Sequence, residues 1–426
     1  MRVLVTGAGG FIGGFVAAAL DRAGHRVVRA TRKAGDGSDT VYCDLNRDLA
    51  ASDWRPRLDG IDAVVNCAGI LRERRAGEFL RVHEGAPAAL FEACRDAGIT
   101  NVVQVSALGD ATATRFIASK HAGDARLLET VPTGVVIRPS YVYSPAGSYG
   151  GGSLLRAMAG LYLAVPVIGR GDQLVQPIAA EDLAGLVLRV LETDAADGRI
   201  VEAVGPEVVT FGKLLDAIRR WLGFGPARFF SLPWSLARVM AGIADFVAAG
   251  PVGGTMLTML AQGNVGRAGA ADEMTRLLGR PPMSVEETLG GCPSQVQDRW
   301  HARLYFVRPV LRLAMGWMFV LAGIVGIGLY PVAESARLLA TAGVPEGLAV
   351  PLVYVTSALD IALGLAVLAG YRVVAVGAVM FALVLAYTVF LGVFLPDQWL
   401  HPFGPLTKNL VILPAIGVMM ALEDQR

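Results

Sequence analysis

The residues best placed for chemistry sit close to the N-terminus, in Thr6-Gly7-Ala8-Gly9-Gly10-Phe11-Ile12-Gly13. A β-branched run, 3–6, precedes them, and a mostly apolar stretch, 11–23, follows. Gly7, Gly10 and Gly13 then lie between a strand and a helix. Gly7 permits a tight turn, Gly10 a close approach of backbone to a diphosphate, and Gly13 close packing of helix on sheet. Phe11 and Ile12 open the helix, where unpaired N–H groups attract phosphate. A second group lies far along the chain. Asp360 interrupts an apolar stretch, and His401 and Lys408 follow it. An acid at mid-membrane depth is costly unless paired, so a proton or quinone site partnered by His401 or Lys408 stands beside plain packing against Thr356 or Ser357.

The end of the second strand bears on the cofactor. A site for NAD usually offers a carboxylate to the ribose 2′-hydroxyl, and one for NADP an arginine. Here the run is Arg29-Ala30-Thr31-Arg32-Lys33, with no acid before Asp36. Arg32, helped by Lys33 or Arg29, would clamp a 2′-phosphate, so NADP(H) is preferred and NAD(H) remains possible. The alternative is a solvated basic loop.

These residues need a scaffold. Strand patterns at 3–6, 25–30, 61–66, 101–106 and 133–138 alternate with helical ones at 11–23 and 79–97. Such alternation implies an α/β Rossmann-like, doubly wound parallel sheet, with ligands at the carboxyl ends of its strands. Further on, Phe211 opens an amphipathic pattern, and 232–249 is apolar with few charges. Trp234, Phe246 and nearby methionines could face a lipid or quinone tail, or serve as ordinary packing.

The composition divides the chain. Its 426 residues are 54% hydrophobic and 18% charged, with a mean hydropathy of +0.50. Yet only 13 charged residues lie from His301 onward, against 62 before it. Apolar runs at 313–333, 348–370, 373–396 and 406–422 read as four membrane spans. The expected domains are therefore 1–225 (dinucleotide-binding), 226–300 (a small second lobe and linker) and 301–426 (an all-α four-helix transmembrane bundle). Arg299, Arg303, Arg308 and Arg312 before the first span, and Arg372 in the second connection, place both termini in the cytoplasm of a multi-pass inner-membrane protein. No apolar leader opens the sequence, in keeping with that orientation. A net charge of +1 advertises no nucleic acid. Cys43, Cys67, Cys94 and Cys292 have no metal-ligand spacing.

Several of these motifs resemble the extended and atypical short-chain dehydrogenases/reductases. Beside the glycine loop, Asp44-Leu45 resembles the pair that contacts adenine. Asn66-Cys67-Ala68-Gly69 resembles the segment after the fourth strand, Ser106 the active-site serine, and Arg138-Pro139-Ser140 the loop beside the nicotinamide. Gln176-Pro177-Ile178 with Asp182, and Gly205-Pro206-Glu207 with Thr210-Phe211, resemble the subgroup that includes the nucleotide-binding accessory subunit of respiratory complex I. The likeness covers about 1–290. It implies that Gly7, Gly10, Phe11, Ile12, Gly13, Arg32, Asp44, Leu45, Ala68, Gly69, Ser106 and Lys120 contact the cofactor. The family's catalytic Tyr-x-x-x-Lys falls on Phe116-Ile117-Ala118-Ser119-Lys120. Lys120 is kept, but phenylalanine has no proton to give. Ser106 and Lys120 are the remaining catalytic candidates.

His401-Pro402-Phe403 with Lys408-Asn409-Leu410 resembles the DoxX-like family of small four-helix membrane proteins. That resemblance implies a quinone-linked setting. The leading reading is a membrane-anchored NAD(P)H-binding protein without the catalytic tyrosine, in a respiratory or quinone-biosynthesis assembly. The second is an NADPH-dependent oxidoreductase acting on a quinone precursor or other lipid. A nucleotide-sugar epimerase or dehydratase is weaker, because the missing tyrosine argues against it.

Overall fold

A computed structural model of the chain describes residues 1–32, 39–193, 196–246, 253–402 and 404–423. Lys33, Asp36 and Phe403 lie outside the described residues, as do the side chain of Phe246 and the last three residues of the apolar stretch 232–249. The chain forms two compact units, Met1–Ala302 and Arg303–Arg426.

The first unit is built on seven strands: β1 (Arg2–Thr6), β2 (Arg26–Thr31), β3 (Thr40–Tyr42), β4 (Ala63–Asn66), β5 (Asn101–Val105), β6 (Val135–Pro139) and β7 (Ile200–Ala203). They pair in parallel in the order β7-β6-β5-β4-β1-β2-β3. The order reverses between β1 and β4, which makes that junction the switch point. Successive side chains of a strand point to opposite faces, and the core divides accordingly. Val3, Val5, Val65, Val103 and Ile137 share one face. Leu4, Val28, Val64, Val102 and Val136 share the other. Helices α1 (Phe11–Arg22), α2 (Ala86–Asp96), α3 (Arg115–Thr130) and α4 (Ala180–Glu192) complete the layers. Val16 and Leu20 of α1 and Leu186 of α4 fill the first core, while Leu90 of α2 and Leu127 of α3 fill the second. A π-helical segment, Leu80–Gly85, leads into α2 where the sequence predicts a continuous helix.

The second lobe does not begin at 226. Its core takes Tyr143, Leu155, Val165 and Val175, then Phe211, Leu215 and Ile218, and last Val285 and Leu289. The lobe is woven from three separated stretches, because the chain crosses out of the sheet after β6 and returns for α4 and β7.

Among the described residues, three helices are long and apolar enough to cross a membrane: Val296–Leu329, whose opening residues belong to the first unit, Glu346–Leu368 and Val373–Phe394. The first starts at 296 rather than 313, so the arginine-rich segment forms its opening turns. It comprises α5 (Val296–Ile324) and a π-helical end, and is followed by α6 (Glu346–Leu368), α7 (Val373–Phe394) and α8 (Asn409–Leu422). Helix α8 has 14 residues, about 21 Å at 1.5 Å per residue. That is short of the ~30 Å hydrocarbon core, because residues 405–408 form turns that keep Lys408 at its start. Helices α5 and α6 meet through small residues one heptad apart. A Cβ on Gly316 would lie 3.1 Å from Gly364 O, and one on Gly323 would lie 2.4 Å from Ser357 O. Backbones come this close only where side chains are small.

The glycine loop has the same constraint in stronger form. Gly7 has φ +67°, and a Cβ there would lie 2.9 Å from Ala68 Cα. A Cβ on Gly13 would lie 2.2 Å from Gly7 O. Gly13→Ala should therefore destabilise the first unit by roughly 1–3 kcal/mol, the usual range for overpacking. Gly9→Ala, whose Cβ meets nothing within 4 Å, should be near neutral. Pulse proteolysis in urea reads both.

Candidate functional site

The carboxyl ends of β1, β4 and β5 converge at the switch point. Thr6 pairs with Asn66 across the sheet, and Asn66 with Gln104. Their side chains continue the ladder: Thr6 Oγ1 donates to Asn66 Oδ1, and Asn66 Nδ2 donates to Gln104 Oε1 at 2.6 Å. The ladder levels the three loops that follow. In the first loop Gly10 N–H donates to Gly7 O at 2.8 Å, closing the turn into α1. No side chain caps α1, and its first turn holds no acid. The N–H groups of Phe11, Ile12 and Gly13 have no acceptor among the described residues. A glycine-lined turn with three free donors at a helix start fits the diphosphate of a dinucleotide.

Arg32 is exposed just past the end of β2. Register places Ala30 opposite Thr6, so Arg32 lies beside the glycine loop. Arg29 is not available in the same way, since it forms an ion pair with Asp21. Asp44 accepts from Asn46 N–H at 3.1 Å, and Leu45 packs against the core. Ala68 and Gly69 follow β4, and a Cβ on Gly69 would lie 3.0 Å from Lys120 Nζ.

Helix α3 starts at Thr114, whose hydroxyl accepts from Ile117 N–H at 3.2 Å. That start aims Lys120 inward. Lys120 Nζ donates to Ala68 O and to Val105 O, each at 3.0 Å, and so ties the ends of β4 and β5 together. Burial lowers its pKa to about 8, and the Asp124 carboxylate, one turn on, opposes the shift. Asp124 was not picked out by the sequence reading. Ser106 Oγ donates to its Oδ2 at 2.8 Å, and Arg138 Nε donates to the same oxygen at 2.9 Å. Its Oδ1 is buried without a hydrogen-bond partner. Ser106 thus has a carboxylate beside it, where the sequence alone offers no base. The available signal was the four-residue spacing from Lys120, which puts both on one helix face.

Phe116, four residues before Lys120, packs into an aromatic group. Its ring lies 5.6 Å from His83 and 6.2 Å from Phe79, between centroids. His83 Nε2 accepts from Ile70 N–H at 3.0 Å, so Nδ1 carries the proton and donates to Ser119 Oγ at 2.8 Å. Burial, then the charge of Lys120, lowers the His83 pKa to about 3. The ring is a neutral spacer and supplies no proton near neutrality.

The Tyr143 hydroxyl is engaged elsewhere. It donates to Ser284 O at 3.2 Å or Thr288 Oγ1 at 3.1 Å, within the second lobe. Tyr141 stacks on it at 6.5 Å. Both line a narrow cleft that also takes Phe11, Tyr149, Arg156 and Trp221. Arg156 is buried against Asp298 at 3.0 Å and three backbone carbonyls of the 144–147 loop. It therefore shapes that wall, and its cation lies 4.6 Å from the Trp221 ring centroid.

The second unit holds Asp360, His401 and Lys408. Asp360 is half-buried in the middle of α6 and has no ion pair among the described residues. His401 and Lys408 are exposed. Lys408 caps the start of α8, whereas Asp360 lies well inside its own helix. Among the described residues no group of three or more His, Cys, Asp or Glu could hold a metal.

Residues 3–203 match the NAD dependent epimerase/dehydratase family, and residues 316–417 match the DoxX-like family. The chain joins an NAD(P)-binding epimerase-type domain to a DoxX-like domain. Over 250 residues it is 26% identical to rat NADH dehydrogenase [ubiquinone] 1 alpha subcomplex subunit 9, covering 55% of this chain and 63% of that one. Over 239 residues it is 28% identical to the ceramide reductase of Caulobacter vibrioides, covering 54% and 73%. The chain thus spans less than two thirds of the length of the rat subunit. Among solved structures, MoeE5 with UDP-glucose and NAD superposes with a TM-score of 0.52 at 20% identity, covering 71% of this chain and 99% of that one. Human SDR39U1 with NADPH gives 0.50 at 22%, covering 68% and 98%. At these identities the likeness establishes the fold alone.

A buried neutral histidine has a signature in acid. Its folded pKa of about 3 lies below the ordinary 6.5, so the unfolded chain takes up a proton that the folded one refuses. Stability is full above pH 6.5 and falls as pH drops toward 3, by up to ~1.4 kcal/mol per unit. His83→Gln should flatten that decline in urea unfolding measured between pH 8 and 5. Equal slopes in the two proteins would refute the assignment.

Proposed function

We propose that this is a membrane-anchored NAD(P)H-binding protein that retains its dinucleotide without tyrosine-dependent turnover, in a respiratory or quinone-linked assembly. One observation carries the reading: Phe116 packs on Phe79 and His83 where the family's proton donor would stand, beside a diphosphate cradle with free donors. In this reading Gly7, Gly10, Phe11, Ile12 and Gly13 hold the diphosphate. Arg32 takes the 2′-phosphate of NADP(H), Asp44 and Leu45 border the adenine, and Ala68, Gly69, Ser106 and Lys120 border the nicotinamide half. A bound reduced dinucleotide would supply hydride. The chain's own part is to bind it, orient it and keep water away. The complex I relative supports the reading as a protein named for such an assembly. The arginines at 299, 303, 308 and 312 support a cytoplasmic face for the first unit.

A second reading has its own support. Ser106 with Asp124 forms a hydroxyl–carboxylate pair able to move a proton, and one relative is named a ceramide reductase. That reading is an NADPH-dependent reductase of a membrane lipid.

Native mass spectrometry of the full chain in detergent should find a retained dinucleotide, and added NADPH should not be consumed in the presence of ceramide precursors or quinones. Brisk oxidation, abolished by Asp124→Asn, would overturn the first reading in favour of the second. Arg32→Ala should weaken NADPH roughly tenfold, worth ~1.4 kcal/mol, and leave NADH nearly unchanged. An equal loss for both would remove Arg32 from the 2′-phosphate.

A further inference from the structure

The helix Trp234–Phe246 in the second lobe is turned against the usual sense. Its small residues Ala237 and Ala241 are buried. Its large apolar ones point outward: Leu236 is 46% exposed, Val239 59%, Met240 50% and Ile243 60%. At ~100° per residue these four share an arc of about 100°. The helix's charged residues, Arg238 and Asp245, lie about 160° from the centre of that arc. Trp234, by contrast, is turned in against Gly169. The exposed apolar surface continues at the helix's N-terminal side. Phe229 and Phe230 are exposed on the strand Phe229–Leu232, and Phe229 pairs with Val165, which follows the exposed Tyr162 and Leu163 by three and two residues.

We infer that this helix lies in the surface of a lipid bilayer, its Leu236-Val239-Met240-Ile243 stripe among the acyl chains. A sharply segregated helix with a charge-free apolar arc is the kind that lies in the membrane interface. Aromatic residues concentrate at the same level. The bilayer is also the phase to which the chain is tied. Fifty residues after this helix, the chain enters the first of three helices long enough to cross a membrane. Docking would be transmitted to the sheet domain, because Asp245 at the helix end forms an ion pair with Arg72, three residues beyond Gly69. The inference stands whether or not the dinucleotide turns over.

The test uses the full chain in nanodiscs of phosphatidylcholine and phosphatidylglycerol, with Cys292→Ser removing the exposed native thiol. A fluorophore is placed at Val239→Cys, at Ile243→Cys and, as control, at Arg238→Cys. Doxyl-labelled lipid should quench the first two several-fold more than the third, and aqueous iodide should do the reverse. Iodide reaching all three equally would overturn the inference. So would protection of positions 239 and 243 from both quenchers, since protein, such as a second copy of the chain, would then cover the face. Met240→Glu with Ile243→Glu alters only exposed positions. In a Val239→Cys background this pair should shift the fluorophore from lipid to iodide quenching.

Discussion

The backbone-to-backbone contact at the switch point is the constraint on which the first unit depends. Gly7 sits against the Cys67–Ala68 peptide, and Gly13 sits against the carbonyl of Gly7. Neither position has room for a Cβ. That closeness pulls the start of α1 over the seam between β1 and β4, where the strand order reverses. The first-turn N–H groups then face the open end of the sheet rather than a neighbouring loop. Lys120 ties the adjoining pair, bridging the loop after β4 and the end of β5.

Around that seam a few charged side chains are held in defined contacts. Lys120 and Arg138 flank a single carboxylate, Asp124, which also takes the hydrogen of Ser106. Burial of two cations beside one anion is costly, and the backbone carbonyls on Lys120 offset part of it. His83 avoids adding a third cation by staying neutral, with both ring nitrogens engaged. Phe116 completes an apolar wall against it. The arrangement leaves a buried hydroxyl–carboxylate pair beside an aromatic wall that carries no ionisable group near neutrality.

The membrane unit repeats the logic of close backbones. Gly316 and Gly323 of α5 meet Gly364 and Ser357 of α6 at spacings that side chains would forbid. In lipid, where apolar burial favours no particular partner, such contacts and van der Waals packing set the helix pairing. The ion pairs of Arg308 and Arg312 with Glu423 then tie the start of that bundle to the end of α8.

Local order was legible in the sequence wherever chemistry repeats at short range. The Gly7-Gly10-Gly13 spacing, the β-branched runs, the alternating helices and the loss of charge after His301 each follow from rules that act within a few residues. They are enough to indicate a doubly wound sheet followed by apolar helices. Tertiary structure alone decided what touches what across the sheet. Asp124 became the partner of Ser106 and Arg138 only when α3 was laid over β5 and β6. Tyr143 was drawn to Ser284 and Thr288, 141 and 145 residues away. Asp360 and Lys408, near enough in type to pair, were held at different positions along their helices. Residues 234–246 could have packed by either face, and burial of Ala237 and Ala241 turned the larger side chains outward. Periodicity fixes which residues share a face, but which face is buried depends on the surface it meets.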